Sequence, residues 1–137
     1  MNTPPFLNNA LTNTPVLLVA IAGSGPVTTG QSGGPQMQGG VRMNLIYQNV
    51  NNPNSAGCFL QYFDAATAAA VTLGTTKPLA SFYIPGTQSG GGNGVLSESY
   101  EVPRALSFKL GVVVAATATQ QGAGSPGSVI QLMAMVA

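Results

Sequence analysis

The chain has 137 residues, enough for one domain with a real core, but only four Lys/Arg and three Asp/Glu. That is 5% charged, against roughly 25% in an ordinary soluble domain, and the net charge is +1. The four cations, Arg42, Lys77, Arg104 and Lys109, are scattered, which excludes a phosphate-neutralising groove and so a nucleic-acid partner. With no histidine and a single cysteine, Cys58, there is no internal disulfide, no Cys–His nucleophile and no zinc-ligand set, and no metal or other cofactor is expected. Solubility rests on Asn, Gln, Ser, Thr and Gly, and with so little self-repulsion the surface suits a subunit packed against copies of itself.

Met1 to Thr14 is Asn, Thr and Pro around one apolar pair, Phe6-Leu7. It reads as a disordered tail or as an extended arm that docks this pair on a neighbour. Pro15 to Ala22 is the first strand, and its apolar residues Val16, Leu17 and Leu18 join Phe6 and Leu7 as expected assembly contacts. The run Val16 to Ala22 has a small-x-small end like a secretory leader, but no Lys or Arg precedes Arg42. It is also too short to span a membrane, and no membrane partner is expected. Gly23 to Gly40 holds seven glycines in eighteen residues plus Pro26 and Pro35. This exceeds the roughly 12–15 residues usual for a structureless loop, so it is a linker to a strand placed elsewhere in an assembly, or a functional projection. Its Gly-x-Gly seed lacks phosphate-loop spacing. The organisation expected is an arm, first strand and linker over 1–40 and a β-sandwich domain over 41–137.

Val41 to Val50 alternates Val41, Met43, Leu45 and Tyr47 against Arg42, Asn44 and Gln48, and is the second strand. Cys58 to Asp64 is the third, expected to pair with the second across the Asn/Pro/Gly turn of residues 49–57. Cys58 sits in an apolar context as a small buried hydrophobe. Ala65 to Ala70 suggests a short helical turn, Leu79 to Ile84 a fourth strand between prolines, Pro85 to Gly94 an exposed loop and Val95 to Val102 a fifth strand. Leu106 to Thr119 starts with alternation (Leu106, Phe108 and Leu110 on one side) and turns apolar throughout from Val112 to Ala116. It reads as one central strand that enters the middle of the core, covered there on both faces, with a bulge or bend at Gly111. Gln120 to Ser128 is a Gly/Pro loop and Val129 to Val136 a last strand. The sum is all-β: an antiparallel, jelly-roll-like β-sandwich of about seven to eight strands with an extended N-terminal arm.

Chemistry is sparse. Glu98 and Glu101 fall on opposite sides of a strand and make no acid/base pair, while Asp64 ends a strand and accepts a backbone hydrogen bond at a turn. Tyr47, Tyr62, Tyr83 and Tyr100 lie in strand text, where tyrosines fill or rim a core. No catalytic residue emerges. A glycan-binding module would use Tyr100 or the Pro85–Gly94 loop.

The order of Ile46-Tyr47-Gln48-Asn49-Val50, Phe59 to Ala66 (with Gln61-Tyr62-Phe63-Asp64), Leu73-Gly74-Thr75-Thr76-Lys77-Pro78, Leu79 to Pro85 and Leu110 to Thr117 resembles small β-sandwich structural proteins of tailed bacteriophages and prophages. The likeness covers residues 45–119 and the last strand; the first forty residues fall outside it. These motifs belong to a fold and carry no catalytic residue. The resemblance implies a virion component located on the capsid surface: a capsid cement (decoration) protein, a homotrimer that binds the major capsid protein. The alternative is a tail or fibre module that binds a host cell-surface glycan.

Overall fold

The computed structural model describes residues 6–20, 43–87, 91–101 and 106–136. The linker with its Gly-x-Gly seed, Arg42 and Arg104 lie outside these. Among the described residues nine strands follow in order: β1 Phe6–Leu11, β2 Val16–Ala20, β3 Met43–Asn52, β4 Cys58–Asp64, β5 Ala80–Ile84, β6 Gly94–Ser99, β7 Leu106–Phe108, β8 Gly111–Thr117 and β9 Ile130–Val136. One turn of 3-10 helix, Ala68–Ala70, interrupts them.

The strands divide into two antiparallel sheets. The first runs β1-β9-β3-β6, with β7 also on β3; the second runs β2-β8-β4-β5. Leu45 pairs with Val136 of β9 and with Leu106 of β7, so β7 lies on the β6 side of β3. β6 and β7 are thus successive parts of one broken edge strand, which leaves eight strand positions. Their nested pairing, first with last and second with next to last, is the jelly-roll order. The all-β sandwich expected from the strand and turn pattern is the fold observed.

The core between the sheets is made by alternate residues of each strand. Leu18, Cys58, Leu60, Tyr62, Val112, Val114 and Ala116 of the second sheet meet Leu45, Val50, Phe108, Ile130, Leu132, Ala134 and Val136 of the first. Tyr62 is its largest anchor, edge-on to Phe82 with ring centres 5.8 Å apart and tilted against Phe108 at 6.1 Å. Cys58 is buried as expected, and burial pushes its thiol up to about 11.

The second sheet is covered on its outer face too. After β4 the chain folds back, and Phe63, Ala65, Val71 and Val113 form a second small core with Leu17 and Leu73 packed on it. All seven residues of β8 are buried in consequence, which is why its valines run without alternation.

Two expectations are corrected. Residues 106–119 are not one strand. β7 belongs to the first sheet and β8 to the second, and the chain crosses between them at Lys109-Leu110. Asp64 holds that crossing, its Oδ1 accepting from the backbone N–H groups of Lys109, Leu110 and Gly111 at 3.0, 2.7 and 3.4 Å. At Gly111 a Cβ would collide with the Ala65 carbonyl oxygen, so the change of pattern there marks a change of sheet. Second, β3 and β4 do not form a hairpin. They lie in different sheets, because the 53–57 connection bridges the end of the sandwich. Within the N-terminal segment, residues 6–11 form a strand, β1, antiparallel to β9 in register Phe6↔Met135 to Leu11↔Ile130. β2 pairs with β8 across a bulge between Leu17 and Val19. The part of the chain expected as arm and first strand therefore contributes one strand to each sheet.

Candidate functional site

Described residues of four connections meet at one end of the sandwich: 12–15, 53–57, 85–87 with 91–93, and 118–129. Asn52, fully buried at the end of β3, ties the 53–57 connection to Pro85. Its Nδ2 donates to the carbonyls of Ala56 and Pro85, and its Oδ1 accepts from the N–H and Nδ2 of Asn54. Asn54 in turn accepts from Ser128 N–H at 2.7 Å and donates to its carbonyl. Thr87 N–H donates to the Asn54 carbonyl, and Asn13 Nδ2 to that of Ala123. Short asparagines do this work because their amides both donate and accept, matching the turn backbone they tie. The described loop residues are thus fixed by hydrogen bonds and carry no charged side chain.

A second polar chain runs from core to surface. The Tyr62 hydroxyl donates to Gln48 Oε1 (2.9 Å), Gln48 Nε2 donates to the Tyr100 hydroxyl (2.7 Å), and that hydroxyl donates to Glu98 Oε2 (2.7 Å). Tyr62 and Gln48 are fully buried and come from opposite sheets, so the chain ties the sheets together. Burial, then the hydrogen bond to Glu98, pushes Tyr100 up to about 12, against the opposing effect of Gln48. Burial, with a smaller contribution from Tyr100, pushes Tyr62 further up still. Both phenols stay protonated in ordinary buffers and act as hydrogen-bond donors. Among the described residues no group of three or more His, Cys, Asp or Glu is placed to hold a metal ion.

The outer face of the first sheet differs from that of the second. Tyr47, Met133 and Met135, with Ile46 and Ser99, line a shallow groove of about 440 Å³. Met133 is 38% and nearby Val95 49% exposed, with Ser97, Ser99 and Gln131 exposed around them. None of these is charged. The result is a flat apolar strip with an uncharged polar border.

The residues expected to make assembly contacts are not brought together. Phe6 and Leu7 stand on β1 opposite Met135 and Ala134 of the first sheet. Val16 packs at the margin of the main core, Leu17 on the small second core, and Leu18 is buried inside. Sequence reading missed the groove residues of β9, whose alternation in Gln131, Met133 and Met135 was hidden because methionine reads as apolar. Comparisons with protein-family models, with curated proteins and with solved structures gave no match for this chain.

Proposed function

We propose that this protein is a non-enzymatic structural subunit of a virion: a capsid decoration protein that assembles as a homotrimer and binds the outside of a phage capsid across neighbouring major capsid subunits. The observation that carries the reading is a jelly-roll sandwich with a shallow, partly exposed groove at Tyr47, Met133 and Met135 that has no charged lining residue. Jelly rolls recur in viral capsid and lectin domains, which supports the reading by analogy of fold. The sequence resemblance to phage structural proteins supports it independently. A stud of this kind stabilises a shell by burying modest apolar areas on several capsid subunits at once, so that weak contacts add.

The test has two arms. Solution mass of the full chain is expected to give a trimer. The chain is then mixed with capsids of its own virion that lack it; co-sedimentation and a higher capsid melting temperature are expected. A monomer that neither co-sediments nor stabilises capsids would sink the proposal. The tail or fibre reading has less support at Tyr100, whose hydroxyl is taken up by Gln48 and Glu98.

A further inference from the structure

An open sheet ends in edge strands whose outer N–H and C=O groups have no ladder partner. The other edges of this sandwich carry a guard. β1 follows Pro4-Pro5, β2 follows Pro15 and has a bulge between Leu17 and Val19, β5 lies between Pro78 and Pro85, and β7 is three residues long. β6 has none of these devices. It pairs with β3 without a register shift, holds no proline or lysine, and leaves Val95, Ser97, Glu98 and Ser99 exposed. Among the described residues no strand lies on its other side.

The phase of its ladder is set. Tyr100 N–H donates to the Ile46 carbonyl at 2.8 Å, and Ser99 stands opposite Tyr47. Inward-bonding residues alternate along an antiparallel pair, so Leu96 and Glu98 bond to β3. The N–H and C=O groups of Val95, Ser97 and Ser99 therefore point to the open edge. The side chains of these three lie on the outer face beside Asn51, Asn49 and Tyr47. Leu96 packs on the core, and Glu98 is bonded to the Tyr100 hydroxyl. The edge thus offers strand backbone from three residues that carry no charge.

We propose that β6 docks on β6 of a second copy of this chain, antiparallel, about a two-fold axis at Ser97. With Ser97 opposite its own copy, Val95 meets Ser99 of the second chain, and every outward N–H and C=O of these residues finds a partner. Glu98 then faces Leu96 across the join. Moving the axis to Glu98 would set the two carboxylates directly opposite each other, and moving it to Leu96 would carry Ser99 beyond the partner strand. An identical uncharged row meets this one without repulsion, which favours a second copy over a charged strand. A strand of six residues is about 20 Å long, so the contact falls short of the roughly 800 Å² per partner of a stable complex. It is a weak contact that forms at high local concentration. A two-fold contact closes at two copies, so it adds to the contacts within a trimer and joins neighbouring assemblies. It does not depend on the virion reading.

The test is sedimentation of the full chain across a concentration series. The parent is expected to gain mass above its dilute unit as concentration rises. Ser97→Lys and Ser97→Glu each set like charges against each other across the axis, so each variant alone should lose this gain. Mixed in equal amounts, the two should associate more tightly than the parent, because position 97 of each then meets the opposite charge. Ser97 is exposed, so neither change enters the core. Ser97→Pro removes an N–H that β3 does not use and blocks the edge by a second route. A parent of constant mass, or a Ser97→Lys variant that gains mass as the parent does, would overturn the proposal. So would a mixture no heavier than its components, which would leave the edge to a strand of another protein.

Discussion

β8 and β9 are both seven residues long, and each sits between two partners in its sheet. Yet β8 is buried at every position, while β9 alternates between core and surface. The difference does not lie in the strands. It lies in what the rest of the chain does above them: residues 65–73 pack over Val113, and the loop carrying Gly122 reaches Gln61, whereas Met133 of β9 remains exposed. A strand's apolar pattern therefore reports how many of its faces are roofed. It also separates the strand that the chain has covered on both faces from the one that still offers a face.

The hardest test of that contrast is a charge on each strand. Val113→Asp places an unpaired carboxylate beneath the roof, should cost more than about 4 kcal/mol, and is expected to leave no cooperative unfolding transition in urea. Met133→Asp should stay within about 0.5 kcal/mol of the parent while weakening self-association measured by solution mass. If both variants unfold, the contrast is wrong. Removing the roof's own anchor sharpens it: Phe63→Ala should lose about 3–5 kcal/mol, with new protease cleavage at residues 65–76 seen by mass spectrometry. Asn52→Ala acts on the loop end and leaves the Ala56 and Pro85 carbonyls without their partner. It should cost about 2 kcal/mol with the fold kept, read as a lower denaturation midpoint at unchanged slope.

The gentlest probe is pH. Folding raises the Cys58 thiol from 9.0 to about 11 and the Tyr100 phenol from 10.0 to about 12. Between those limits the folded chain holds more protons than the unfolded one, so stability falls as pH rises. The stabilisation is complete below about pH 9 and lost progressively to about pH 12. Melting temperatures across this range should decline, and Cys58→Ala should delay the onset toward the tyrosine range.

Strand positions were largely legible, because period-two runs and Gly/Pro/Asn punctuation are local signals. Cys58–Asp64 was readable to the residue. Pairing was not, since a jelly roll joins strands far apart in sequence. The Asn-rich connection after β3 has the composition of a hairpin turn, yet Asn52 uses it to span two sheets. β1 was missed because Asn8-Asn9 interrupts its apolar residues; its place is set by pairing with β9. The groove was invisible for a similar reason. It combines strands whose neighbours only the register reveals.

The pairing of β1 with β9 has a consequence for synthesis. Residues 6–11 are made early, but their register partners are residues 130–135. As the ribosome delivers the chain, six residues of strand backbone wait without this ladder until residues 130–135 have emerged. A chain stopped before residue 130 would therefore leave the β1 edge without its partner.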